Sequence, residues 1–346
     1  MKRTPAVPTM PAPKYTITFT AKEQAELLAT TREPEPLGPN EVAGRTLASL
    51  VSPGTELGGF YAGHPALLPA LGGKSFPCEP GYAAVFEVED LGSAVRGIRK
   101  GDRLLCMGPH RSHQRIEASQ GVPVPAGLAP AAAVFARLMA VTMSTLATTT
   151  ARPPARVVVT GLGAVGNLGA QIFSRCGYDV TACDPVDARR KLAAKVGIRN
   201  VLARIPVDDD AYAGKVDLVL ECSAHEAAVL EGCRIVRKRG EVVLVGCPWK
   251  RQTDLSASEL QMTVFLNYVV LRSGWEWEVP FHPVDFRSGS MFANFAAALR
   301  WLQEGRVRVE ELFDTVSPRD PQKLYQDMLY KRFQSLTAVF DWTALS

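Results

Sequence analysis

ARVVVTGLGAVGNLG, residues 155–169, decides the fold. ARVVVTG reads as a strand and NLGAQIFSRCG as a helix, with Gly161, Gly163 and Gly166 set between them as G-x-G-x-x-G. Gly161 permits the tight turn, Gly163 lets a pyrophosphate approach the backbone, and Gly166 lets helix and strand pack closely. The helix start, with Ala164 and Val165, offers free N–H groups and a positive dipole end to phosphate. The next strand, DVTACD, ends in Asp184, 18 residues beyond Gly166 (184 − 166). A carboxylate there accepts hydrogen bonds from ribose hydroxyls and repels a 2′-phosphate, which favours NAD(H) over NADP(H). Arg189 and Arg190 keep NADP(H) open, since an arginine at that point can reach a phosphate. The plainer alternative is that the glycines only shape a turn and Asp184 only caps the helix begun at PVDARR.

Outward from this loop, short apolar strands alternate with helices. PVDARRKLAAKVG reads as a helix, KVDLVLECS as a strand, HEAAVLEGCRIVRKRG as a helix, and EVVLVGC as a strand. This alternation predicts a parallel sheet covered on both faces. Residues 15–110 are β-rich and punctuated by turn residues, and 126–150 turn Ala/Leu/Met-rich with helical spacing. After the alternating segment come a helix at MFANFAAALRWLQEG and a closing helix–strand that ends in LTAVFDW, a strand that needs a sheet to join. The expected organisation is a β-rich domain over 1–150 completed by 286–346, and a doubly wound α/β domain over 151–285.

Composition sets the class. With 346 residues, the chain is long enough for two domains. Hydrophobic residues at 47% and charged ones at 21% fit a globular protein. No apolar run reaches the roughly 20 residues that span a bilayer, so no membrane partner is expected. MKRTPAVPTMPAPKYTI lacks the apolar core of a secretory signal, which leads to the expectation of a Pro-rich lead-in and a cytoplasmic protein. A net charge of +4 without a basic patch argues against nucleic acid. The 7 cysteines include no C-x-x-C pair and read as buried, reduced thiols.

VSPGTELGGFYAG, EPGYAAVFEVEDLGSAVRGIRKGDRL, the GLGAVG loop with Asp184, and GEVVLVGCP together resemble the medium-chain dehydrogenase/reductase superfamily over nearly the whole chain. The variant S-P-G-T-E is similar to a zinc-lacking branch near bacteriochlorophyllide and threonine/sorbitol-type dehydrogenases. The resemblance implies a GroES-like catalytic domain followed by a Rossmann domain, and a dimer through the sixth-strand region at VVLRSGW. It further implies that Cys222, Ser223, Val245 and Gly246 line the cofactor. Where zinc-bearing members carry metal ligands, this chain has Pro53, Tyr82 and Arg137, and it lacks a cysteine-rich structural zinc lobe. The expectation is therefore no zinc.

Thr55, Tyr82 and Arg137 are the candidate catalytic residues. Arg137 reads as a permanent cation polarising a substrate oxygen, or as a structural partner of Glu56 or another acid. Tyr82 reads as a proton donor or as a core aromatic, and Thr55 as a proton relay or a turn cap. Glu56 is expected to be structural. His110 and His113 are expected in an exposed loop, with one of them still open as an acid/base group. His64 and His282 read as loop residues at a pocket, and His225 as a backbone contact beside the nicotinamide. Trp275, Trp277, Phe281 and Phe286 read as a pocket wall or a dimer face. The expected function is NAD(H)-dependent alcohol/carbonyl oxidoreduction of a small-molecule substrate. Quinone or enone reduction, or a non-catalytic nucleotide-binding role, stand as alternatives.

Overall fold

The structure, a computed structural model, describes residues 13–30, 35–62 and 76–345. The expected Pro-rich lead-in and His64 lie outside the described residues. The chain opens with the hairpin β1 (Lys14–Ala21) and β2 (Gln24–Thr30). Next come β3 (Glu41–Leu50), β4 (Ala84–Leu91), β5 (Arg103–Cys106), β6 (His113–Glu117) and β7 (Val122–Pro123). Helix α1 (Ala136–Thr148) then leads into β8 (Arg156–Thr160), α2 (Ala164–Arg175), β9 (Asp179–Cys183), α3 (Asp187–Lys195) and β10 (Asn200–Leu202). The alternation continues through β11 (Val216–Glu221), α4 (Glu226–Ile235), β12 (Val236–Leu244), α5 (Ala257–Leu266) and β13 (Val270–Ser273). Helix α6 (Met291–Gln303), β14 (Phe313–Val316), α7 (Pro321–Leu329) and β15 (Thr337–Asp341) close the chain.

Strands β8 to β13 form one six-stranded parallel sheet in the order β10-β9-β8-β11-β12-β13. This is the doubly wound order, whose direction reverses between β8 and β11, and ligands bind outside the carboxyl ends of strands at that switch. The near-continuous apolar strands Val157–Val159 and Leu218–Leu220 are fully buried, as a sheet covered on both faces requires.

The second large sheet runs β14-β15-β3-β4-β5-β7, with β6 also paired to β3. Strand β15 runs antiparallel to β3, with Val339 opposite Leu50, so the chain's last strand seals the first sheet. Helix α1 joins the two halves: its Leu138, Met139 and Met143, with Phe135 just before it, share one core with Val157, Leu168 and Leu220 on one side and Phe295 and Leu299 of α6 on the other. The helical stretch Pro130–Thr148 is apolar and long enough to span a bilayer, contrary to the sequence reading, yet 78% of its span is buried inside the protein. It is a core helix.

One element differs from expectation. The helix read over HEAAVLEGCRIVRKRG stops at Ile235, and VRKRG instead opens β12. Val236 sits in extended backbone and Arg239 turns at φ +62°, so the charged run RKR lies on an exposed bend rather than a helix face.

Candidate active site

The cofactor side is built at the carboxyl ends of β8, β9 and β11. Gly161 has φ +79°, and a Cβ there would stand 2.5 Å from the Cα of Ser223. A Cβ on Gly166 would meet the Gly161 carbonyl oxygen at 1.8 Å, so helix α2 approaches the loop as closely as backbone permits. Gly163, at the start of α2, faces open space, where backbone N–H groups remain accessible to a phosphate.

Asp184 is buried and already engaged. One carboxylate oxygen accepts the Leu162 N–H at 2.7 Å, the other accepts the Val186 N–H at 2.8 Å, and Arg189 lies at 3.4 Å. The carboxylate therefore ties the glycine loop to the β9–α3 turn, and with about four lone-pair positions it retains acceptor capacity for ribose hydroxyls. Arg190 turns away to bond the Asp184 and Pro185 carbonyls and Asp187.

The third strand end carries a residue the sequence reading passed over. Glu221 is fully buried and accepts from the Ser223 N–H (2.8 Å), the Ser223 hydroxyl, the Ala224 N–H (3.2 Å) and the Thr160 hydroxyl (3.3 Å). Burial raises its pKa despite these bonds. Its backbone carbonyl accepts from Val245 and Gly246, so Glu221 fixes Cys222, Ser223, Val245 and Gly246 around one strand end. The Cys222 thiol is pushed well up by burial, which makes it an inert wall. His225 caps α4, its Nδ1 accepting the Ala227 N–H.

The opposite wall is the turn after β3. Residues Gly54–Tyr61 form a wide helical turn, closed by an Ala62 N–H to Leu57 carbonyl bond. A Cβ on Gly58 would touch Trp249 at 3.0 Å, so this turn meets the loop after β12. Beside it, Tyr82 donates its hydroxyl proton to Ser52 Oγ, and Thr55 Oγ1 stands 3.5 Å from the Tyr82 oxygen. Burial holds the Tyr82 hydroxyl above its ordinary pKa, partly offset by Arg137 and by the Ser52 and Thr55 bonds. Tyr82 therefore remains protonated, a hydrogen-bond donor.

Arg137, on α1, is 3% exposed. Its Nη2 pairs with Glu276 at 2.7 Å, and its guanidinium lies over the Tyr82 ring at 4.6 Å and within 5.8 Å of Trp277 and Phe295. The acid is thus Glu276, three residues past β13, and not Glu56. Nε and Nη1 have no hydrogen-bond partner among the described residues.

Glu56 instead anchors the turn from below. It accepts the Ser52 N–H at 2.6 Å, the Tyr325 hydroxyl at 2.6 Å and His110 Nε2 at 3.1 Å. His110 is fully buried rather than in an exposed loop, because β1 and β3 close over it and Ser49 bonds its Nδ1 at 2.8 Å. Trp342 Nε1 donates to the same Ser49 oxygen at 2.8 Å, and the network is satisfied with His110 carrying its proton on Nε2. His113 is half-buried against Ser112.

The aromatic segment divides. Trp277, itself exposed, packs against Arg137 and Phe281, and His282 stacks on Phe292. Phe286 is wholly exposed with φ +64°, so it lines no pocket in this chain. Of the cysteines, Cys78, Cys106, Cys183 and Cys233 are buried, while Cys247 is exposed at the loop after β12.

The chain matches the zinc-binding dehydrogenase family over residues 164–275. It is 33% identical over 133 residues to a sorbitol dehydrogenase of Halalkalibacterium halodurans, covering 36% of this chain and 38% of that protein. It is 26% identical over 211 residues to an alcohol dehydrogenase of Geobacillus stearothermophilus, covering 50% and 62%. The matches thus span less than two-thirds of these relatives. Galactitol-1-phosphate dehydrogenase from Escherichia coli superposes with a TM-score of 0.77 at 15% identity, covering 94% of this chain and 99% of that one. The chain shares the fold of these dehydrogenases, a GroES-like domain joined to a Rossmann domain.

Two groups are implied by that likeness. A dinucleotide fits: the open approach at Gly163, the free start of α2 and the Asp184 carboxylate supply its contacts. Where the resemblance puts zinc ligands, the cluster presents hydroxyls and a permanent guanidinium, and a guanidinium repels a metal cation. Among the described residues no three His, Cys, Asp or Glu side chains gather to hold a metal.

Proposed function

We propose that the protein is a zinc-independent, NAD(H)-dependent oxidoreductase that interconverts an alcohol and a carbonyl compound. One observation carries the reading: the Arg137–Glu276 pair fastens the hydroxyl cluster Ser52, Thr55 and Tyr82 to the carboxyl edge of the parallel sheet, where the glycine loop lies. The sorbitol and alcohol dehydrogenases among the relatives support an alcohol or polyol substrate. The nicotinamide, when bound, supplies or accepts the hydride.

The chain's own residues manage the oxygen. Tyr82 holds a proton at its hydroxyl and presents it to the substrate oxygen, with Ser52 as the acceptor that fixes it at rest. Thr55 lies beside the same hydroxyl and replenishes its proton. Arg137 places a fixed positive charge next to this group, in a buried setting where charge acts strongly on developing oxyanion character. Asp184 favours NAD(H) by repelling a 2′-phosphate.

We further propose a homodimer through β13. This strand ends the sheet, and Phe265, Leu266, Tyr268 and Val270 beside it are exposed. A second copy placed edge to edge would pair the free strand and cover these side chains.

The test is NADH formation from NAD⁺ with a panel of polyols, secondary alcohols and hydroxy acids. Turnover with at least one is expected. NADH binding without turnover of any alcohol or of any enone or quinone would leave a nucleotide-binding protein without catalysis.

A further inference from the structure

The pairing with Glu276 leaves half of the Arg137 guanidinium buried and without an acceptor. Nε and Nη1 together carry three N–H groups that have no acceptor among the described residues, although the side chain is 3% exposed. A guanidinium cannot shed its charge, and buried donors left unmet are costly. The surrounding rings of Tyr82, Trp277 and Phe295 offer faces rather than acceptor atoms. Nor does Arg137 bond the Tyr82 hydroxyl; it lies over the ring, while the hydroxyl points to Ser52. The unpaired N–H groups and the Tyr82 hydroxyl would therefore address different atoms of a molecule admitted beside them.

We infer that Arg137 anchors a carboxylate on the substrate, so that the alcohol oxidised is a hydroxy acid and the carbonyl reduced an oxo acid. This rests on the dehydrogenase reading above. Hydrogen bonds between a cation and an ionised oxygen are the strong kind, and a planar carboxylate suits a planar guanidinium. A doubly charged phosphate suits the site less well: among the described residues no second Lys or Arg pairs with Glu276 or Tyr82. Glu276 opposes the incoming anion while holding the guanidinium in place, so it sets how strongly the site prefers charge. The reacting oxygen then sits at Tyr82 and the carboxylate at Arg137, two fixed points that orient the carbon between them.

The test compares isosteres on the NAD(H)-loaded protein: lactate against lactamide, and 3-hydroxybutyrate against 3-hydroxybutyramide. Binding is read by tryptophan fluorescence, with Trp277 as reporter, and turnover by NADH absorbance. The acids are expected to bind at least about tenfold tighter than the amides. Arg137→Met should erase that preference, Arg137→Lys should keep part of it, and Glu276→Gln should strengthen it. Equal binding of acids and amides, a preference that survives in Arg137→Met, or no binding of either acid would overturn the anchor. The dehydrogenase reading is judged separately. Arg137-dependent acid binding without turnover of any alcohol supports the anchor and sinks the reading, whereas turnover of neutral alcohols with no acid preference does the reverse.

Discussion

Arg137 lies over the ring of Tyr82, its guanidinium carbon 4.6 Å from the ring centroid, without bonding the Tyr82 hydroxyl. The cation draws the phenol's pKa down, yet burial outweighs it and the hydroxyl stays protonated beyond its ordinary range. A donor hydroxyl and a fixed charge thus stand side by side without cancelling each other.

Tyr82→Phe should lower kcat by about 10²–10⁴-fold, the usual worth of a positioned proton donor, with NADH affinity unchanged. Ser52 loses its partner in this variant, so thermal melting should confirm a folded protein. In the wild-type enzyme the alkaline fall in carbonyl reduction should lie above pH 10, because the folded pKa is raised from 10.0. A Phe variant with full turnover would remove Tyr82 from the chemistry.

Asp184→Ala should weaken NADH binding about tenfold or more and narrow the discrimination against NADPH. It should also lower the melting temperature, since the buried Leu162 N–H loses an acceptor worth about 1–3 kcal/mol when left unmet. Titration with both nucleotides separates the two effects: a purely structural Asp184 would alter stability and leave the NADH to NADPH ratio unmoved.

The glycine loop and Asp184 were legible because backbone demands write themselves locally: Gly161 and Gly166 stand where a Cβ would collide. Their partners were not. Glu276 meets Arg137 across 139 positions, and Tyr325 meets Glu56 across 269, distances that no periodicity reports. His110 looked exposed because GPHRSHQRI is polar, but β1 and β3 close over it in space rather than in sequence. The Glu-Cys-Ser at 221–223 did hold a signal, a carboxylate ending an otherwise apolar strand, which only gains meaning once the strand end meets the loop.

Glu56→Gln should destabilise the turn that carries Ser52 and Thr55. An amide cannot accept from Ser52, Tyr325 and His110 at once without facing one donor with its own NH₂. We expect a loss of about 2–4 kcal/mol by denaturant unfolding, within the range for breaking a buried network. A change within about 0.5 kcal/mol would show that the network does not stabilise the fold.

Glu241 gives the pH dependence. Burial pushes its pKa up, but bonds from Thr150 and Arg272 outweigh this, so the folded value lies below 4.5. A depressed carboxylate contributes stability above its unfolded pKa and loses it as pH falls through the folded one. The melting temperature should therefore drop below about pH 4.5, and less steeply in Glu241→Gln, as followed by circular dichroism in steps of pH. Equal slopes in both proteins would assign the acid transition to other groups.

The central claim is hydride transfer at a hydroxyl–guanidinium cluster without zinc. Its most direct test is NADH formation from NAD⁺ and the alcohol panel by chelator-treated protein, with zinc measured in the same sample by mass spectrometry. The account predicts full turnover at zinc far below one ion per chain. Activity that disappears with the chelator and returns in proportion to added zinc would contradict it.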